Sequence, residues 1–356
     1  MKRFVCVLLI LCVALGLLSV RLHTASPEPG ANKEGIARQA MDSGNIQYYF
    51  MTSNGVSVGY EHYTTRWGDS CLIAFPDGKL MLIDTGLDTF YPILKDHLEK
   101  LYVSTIDYLV ITHPHNDHCG GAWHSLFDDF TIGHVYHNGA KNLSWQEASH
   151  ITAIAEKYNV PCTPWKAGDT LQLGKPENPV NLQVLWPTPE AMEQLQPIDT
   201  TPAINNLSLV IRFDYGAHSA LFTGDIYQTL HHRTMEEQVP GCKGAEDTLL
   251  ELYQNGELDV DLLKLPHHGN PLTSASAQFL SAVSPKYSVA TSFEPVGQYL
   301  KYYIDRGMHT PVFFDRLHGQ IRFQASAEGM LTPQVERDDY LEGFGPKWND
   351  NEKIKK

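Results

Sequence analysis

The chain has 356 residues, 42% hydrophobic and 19% charged, a mixture too apolar for a disordered chain. Its formal charge of −14 argues against broad nucleic-acid binding, which needs a basic surface, although a metal ion can supply positive charge locally. A single long apolar run excludes a polytopic channel, and six cysteines without a C-x-x-C pair argue against a zinc ribbon or a thioredoxin-like centre.

Lys2 and Arg3 precede an unbroken apolar run over residues 4–20, closed by Arg21. Residues 1–25 read as a signal peptide or a membrane anchor, and both readings place the rest outside the cytoplasm. Cleavage and retention stay open: His23 is a poor residue before a cut at Ala25, and a cut after Gly16 shortens the apolar run. Residues 26–45 read as a linker, 46–332 as one domain and 333–356 as a charged surface tail.

Strand and helix signals then alternate. A strand over 46–52 meets the turn Ser53-Asn54-Gly55, and strands over 70–75 and 79–84 flank Pro76-Asp77-Gly78 as a hairpin. Phe90, Leu94, Leu98 and Leu101 have helical spacing, and 106–112 is a short apolar strand expected to be buried on both faces. Ser144 and Glu147 form a capping box for a helix over 144–158. The second half has a hairpin around Tyr215-Gly216, an apolar strand over 261–265, helices over 246–253, 274–284 and 298–306, and strands near 287–291, 312–314 and 320–324. This alternation predicts an α/β sandwich of two packed sheets. Cys71, Cys119, Cys162 and Cys242 read mainly as small buried apolar residues, and a disulfide is permitted outside the cytoplasm with no pairing chosen by the sequence.

The segment Thr112-His113-Pro114-His115-Asn116-Asp117-His118-Cys119-Gly120-Gly121 carries the chemistry. It follows the apolar strand and offers four metal-competent side chains within six residues. Alternate residues project to one side, so His113 and His115 can share an ion, while Asp117 and His118 come after a turn and can serve a second. Gly120 and Gly121 allow a sharp turn close to the site. Two further strands end on ligand-capable residues, Asp225 after 219–223 and His267-His268 after 261–265, where α/β proteins collect their sites.

These segments, in this order, resemble the metallo-β-lactamase superfamily. They look most like the hydrolase domain of the DNA-internalisation competence proteins and like bacterial phosphorylcholine esterases. Gly68-Asp69-Ser70-Cys71-Leu72-Ile73, Met81-Leu82-Ile83-Asp84-Thr85-Gly86, the histidine motif, Asn205-Asn206-Leu207-Ser208-Leu209-Val210, Leu221-Phe222-Thr223-Gly224-Asp225 and Lys264-Leu265-Pro266-His267-His268-Gly269 carry the likeness. The resemblance implies an αββα sandwich with two divalent metal ions at one edge, zinc first and manganese as the alternative. It implies His113 and His115 on the first ion, Asp117, His118 and His268 on the second, and Asp225 between them. Asp84 would orient ligands, His267 would pack beside them or touch the substrate's developing charge, and Asp117 would also orient the attacking water. Asn205, Asn206 and Ser208 stand where many members carry a third histidine for the first ion, so water or an amide oxygen is expected there, with His134 and His137 as weaker substitutes.

Two ions about 3.5–4 Å apart can hold a bridging hydroxide at neutral pH. The expected function is extracytoplasmic hydrolysis of a phosphodiester or phosphorylated ester. A β-lactam or lactone hydrolase and a non-catalytic metal-binding surface protein are the alternatives. The expected partners are a small-molecule or phosphodiester substrate and, if the leader is retained, the membrane; a stable nucleic-acid partner is not expected. His97, His150, His231 and His232 read as surface helix residues.

Overall fold

A computed structural model describes residues 35–51, 68–140, 147–198, 200–228, 243–291 and 296–337. The leader at 1–25, the turn at 53–55, the capping residue Ser144, His231, His232 and Cys242 lie outside the described residues, as does the side chain of His150.

Two mixed sheets face each other. The first runs β15-β14-β1-β2-β3-β4-β5-β6: β1 is Ile46–Phe50, β2 Cys71–Ala74, β3 Leu80–Ile83, β4 Thr105–Ile111, β5 Thr131–His137, β6 Cys162–Pro164, β14 Ile321–Ala325 and β15 Leu331–Val335. The second runs β13-β12-β11-β10-β9-β8-β7: β7 is Thr170–Lys175, β8 Asn178–Trp186, β9 Val210–Tyr215, β10 His218–Phe222, β11 Leu262–Lys264, β12 Tyr287–Ala290 and β13 Val312–Phe314. In each sheet one part is parallel, β3 to β6 in the first and β10 to β13 in the second.

Residue alternation along each strand builds the layers. On β4 Val110 points between the sheets while Leu109 and Ile111 point outward; on β10 Ala220 and Phe222 point between the sheets and Leu221 outward. The inner layer closes on aromatic contacts such as Phe50 stacked on Phe222, with ring centroids 5.7 Å apart. The first sheet's outer face is covered by α2 (Tyr91–Lys100), α3 (Asn116–Gly121) and α4 (Glu147–Lys157). The second is covered by α7 (Ala245–Leu252), α8 (Ala277–Val283) and α9 (Val296–Asp305). Two short helices, α5 (Pro189–Leu195) and α6 (Thr201–Asn205), lie between β8 and β9. The result is the expected αββα sandwich.

Four local readings are corrected. The stretch read as linker contains helix α1, Ile36–Ser43, which buries Ile36 and Ala40. Pro333 belongs to strand β15 rather than to a frayed tail. His97 is buried on α2, because a residue three positions after Leu94 shares its apolar face, and burial lowers its pKa to about 4. The apolar strand β4 is buried on both faces only in its second half. Cys71 and Cys119 are buried free thiols, and Cys162 is a half-buried one. Among the described residues, no helix is long and apolar enough to cross a membrane.

Candidate metal centre

The parallel strands of both sheets end at one edge of the sandwich. The end of β4 delivers His113 and His115, and α3 begins at once with Asn116, placing Asp117 and His118 in its first turn. Gly120 and Gly121 let α3 press against the chain after β3: a Cβ on Gly120 would stand 2.3 Å from the backbone nitrogen of Asp88, and one on Gly121 2.5 Å from the carbonyl oxygen of Thr85. Asp225 follows β10, and His267 and His268 follow β11. The backbone is left-handed at His267, His268 and Gly269 (φ 49°, 55° and 77°). For the two histidines this costs on the order of 1–2 kcal/mol each. The turn is held by the His267 N–H on the Gly224 carbonyl (3.0 Å), by the Ser274 hydroxyl on the Pro266 carbonyl (3.0 Å) and by the Tyr303 hydroxyl on the Gly269 carbonyl.

All six residues expected to hold metal gather here. His113 Nε2 lies 3.0 Å from His115 Nδ1. His118 Nε2 faces Asp225 Oδ1 at 3.2 Å, and His268 Nε2 faces Asp225 Oδ2 at 3.3 Å and Asp117 Oδ2 at 3.1 Å. The His113 and His118 rings are 4.1 Å apart, so the two groups of ligands touch. His267 stands beside them, its Nε2 3.9 Å from Asp225 and its ring on Tyr227 at 4.8 Å. Burial lowers the pKa of His267 to about 4, so it is a neutral imidazole near neutral pH.

Two buried carboxylates orient the rings. Asp84 accepts from Thr112 N and Oγ1 and meets His118 Nδ1, each at 2.7 Å. Asp69 meets His268 Nδ1 at 2.9 Å and is itself held by the Thr291 hydroxyl and by the buried ammonium of Lys264. Each ring is thereby turned so that Nε2 points at Asp225, the arrangement in which an outer carboxylate fixes a ligand's tautomer. The orienting role expected of Asp84 matches this geometry. Asp69 and Lys264 received no role in the sequence reading, although a lone lysine in the apolar strand at 261–265 is a signal, since a buried charge needs a partner. Asp69, His118, Asp225 and His268 bring ligand atoms within 4.8 Å of one another. With its oxygens engaged by Lys264, Thr291 and His268, Asp69 serves as a holder of His268.

The electrostatics are those of a site short of positive charge. Burial pulls the His118 and His268 pKa values down, but Asp225 with Asp84, and Asp225 with Asp69, outweigh it and raise both well above the ordinary value. Burial would raise Asp225, yet the same two imidazoles hold it well below the usual carboxylate range. His113 is pushed down by burial and by His118 beside it.

The donor set fits divalent ions. Two ligands about 2.0–2.1 Å from a tetrahedral ion lie roughly 3.3 Å from each other, and the facing pairs here are 3.0 to 3.3 Å apart. His118 Nε2, Asp225 Oδ1 and Asn205 Oδ1 are buried and complete no hydrogen bond. Buried polar atoms left this way are costly unless another partner satisfies them. His134 and His137 are held elsewhere, the first on Thr163 Oγ1 at 2.9 Å and the second on the Gly139 N–H at 3.1 Å.

Residues 65–287 match the family model of the metallo-β-lactamase superfamily. The chain belongs to that superfamily. It is a metal-dependent hydrolase with a buried His/Asp cluster suited to metal. Similar solved structures are distant. A metallo-β-lactamase with a HARLDQ motif from Cronobacter sakazakii is 16% identical, covering 62% of this chain and 85% of its own, with a TM-score of 0.36. The metallo-β-lactamase GOB-18 from Elizabethkingia meningoseptica is 15% identical over 67% of this chain and 87% of its own, with a TM-score of 0.38. A diphosphatase of the PhnP family is 14% identical over 82% and 98%, also at 0.38. No curated protein sequence matches the chain.

Proposed function

We propose that this hydrolase uses two divalent ions, zinc first and manganese as the alternative, to cleave a phosphodiester or phosphorylated ester outside the cytoplasm. The observation that carries the two-ion reading is the pair of adjoining ligand groups, His113 with His115 and His118 with His268, Asp117 and Asp225, set at ligand–ligand distances in a buried cluster. Bound ions supply a nucleophile at neutral pH and charge for the leaving oxygen. The protein residues do the rest. Asp84 and Asp69 fix the ring orientations of His118 and His268. Asp117, half-buried at the start of α3, is placed to orient an attacking water. His267, neutral and half-buried, is placed to hydrogen-bond the substrate.

The phosphoester substrate is supported by the likeness of the quoted motifs to competence-protein hydrolase domains and phosphorylcholine esterases. The location is supported by Lys2, Arg3 and the apolar run at 4–20. The test is an activity panel with the metal-loaded protein: a generic phosphodiester, a phosphorylcholine ester, single-stranded DNA and a chromogenic β-lactam. Turnover of a phosphorus ester and not of the β-lactam is expected, and the opposite pattern overturns the substrate class. A periplasm-type reporter fused after Lys356 is expected to be active and a cytoplasmic one inactive.

A further inference from the structure

The first ion of the proposed pair lacks a third histidine, and the segment that stands in its place is Asn205-Asn206-Leu207-Ser208. The structure separates the three polar residues of this segment by what their atoms already do. The Asn206 amide is fully used: its Oδ1 accepts from the Tyr227 and Ala245 N–H groups at 3.2 and 2.8 Å, and its Nδ2 donates to the Pro202 carbonyl at 2.8 Å. Ser208 Oγ accepts the Asp225 N–H at 3.0 Å and so sets the entry of that carboxylate into the site. Asn205 differs. Its side chain is 1% exposed and lies within reach of the His115 imidazole. Nδ2 is tethered to the Tyr227 hydroxyl at 3.3 Å, while Oδ1 completes no hydrogen bond. The segment cannot drift away, because the Leu209 N–H is bonded to the Thr112 carbonyl at 2.9 Å, one residue before His113.

We infer that the Asn205 amide oxygen is the third protein ligand of the ion held by His113 and His115. This rests on the two-ion reading above and deepens it. A neutral amide oxygen is a harder and weaker donor than imidazole, and oxygen donors suit manganese, magnesium and calcium better than zinc. The His113/His115 ion is therefore the weaker and the less zinc-selective of the two.

The test is calorimetric titration of full-length, chelator-stripped protein with Zn2+ alone and with Mn2+ alone. Two unequal events are expected for the natural sequence. Asn205→Ala is expected to weaken the looser event by more than about 100-fold, beyond the 10–100-fold typical of residues that only orient a ligand, and to leave the tighter event unchanged. Asn205→His is expected to tighten the looser zinc event by about tenfold or more and to lower the manganese-to-zinc preference. It should also shift the visible absorption of the Co2+-substituted protein, a change that a merely structural asparagine would not produce. If Asn205→Ala titrates like the natural protein, the inference is overturned. If Asn205→Ala does not fold, Asn205→His decides: an unchanged looser event and an unchanged Co2+ spectrum overturn it. If the natural protein binds no ion or only one, the two-ion reading itself falls, a result distinct from failure of the asparagine assignment.

Discussion

The two halves of the metal centre are built to different standards. The rings of His118 and His268 each rest on a buried carboxylate, and each carboxylate has its own support: Thr112 beneath Asp84, and Lys264 and Thr291 beneath Asp69. The His113 and His115 rings have no such backing among the described residues. His113 Nδ1 meets only the Thr112 hydroxyl at 3.2 Å, and the two rings lean on each other. Outer partners of this kind raise ligand basicity and fix orientation. One half of the site is thus braced by outer carboxylates, and the other is not.

The largest effect is expected where the halves meet. Asp225→Ala removes the carboxylate that faces both His118 and His268. Hydrolysis should be abolished and bound metal should fall, while far-UV circular dichroism stays near that of the natural protein. Full activity in this variant would contradict the two-ion account. Next is stability. Lys264→Met takes the ammonium from buried Asp69 and leaves it only His268 and the Thr291 hydroxyl, and breaking a buried pair from one side costs about 3–5 kcal/mol. Denaturant unfolding should show that loss; a loss within experimental error would mean that Asp69 is not held by charge. Asp84→Asn keeps an acceptor for the Thr112 N–H but takes the carboxylate from His118. Affinity for the tighter ion should drop by about 10–100-fold, narrowing the gap between the halves, and competition with a metal indicator will measure it.

The last expected effect lies outside the ligand set. Glu246 on α7 is fully buried, accepts the N–H groups of Ala275 and Ser276, and so anchors the loop that follows His268. Burial raises its pKa to about 7 from an ordinary 4.5, against the opposing effect of those two hydrogen bonds. A carboxyl whose folded pKa is raised favours folding most below its unfolded pKa, and that contribution fades as pH climbs through the folded value. In the natural protein relative to Glu246→Gln, unfolding free energy measured with chelator present should therefore fall between about pH 4.5 and 7 by an amount on the order of 3 kcal/mol. Glu246→Gln should lose that slope, and an identical pH profile in both proteins would contradict the assignment.

What the sequence showed of this centre follows the same division. The metal-facing residues were legible because each sits just past an apolar strand, in a segment whose composition has no other easy reading. Asp69 and Lys264 were not, because they pair across 195 positions. Periodicity reports which face of an element is buried and is silent on which buried polar groups meet. The strands β6, β7 and β8 were also missed. Their alternation is clear only in 180–184, where Val180, Leu182 and Val184 are buried between exposed Asn181 and Gln183, after a lysine- and proline-bearing turn. Helix α1 was missed because Ile36 and Ala40 are its only buried residues, too few to make a periodic signal. His97 was misplaced because a polar side chain on an apolar helix face reads as surface until packing covers it.

The central claim, two ions in two unequal halves, is met most directly by elemental analysis of protein purified without chelator, before and after dialysis against a mild one. The account predicts close to two divalent ions per chain at first and close to one after dialysis, the retained ion being lost in Asp84→Asn. A content near zero that added zinc or manganese does not raise would contradict it, as would two ions that leave together.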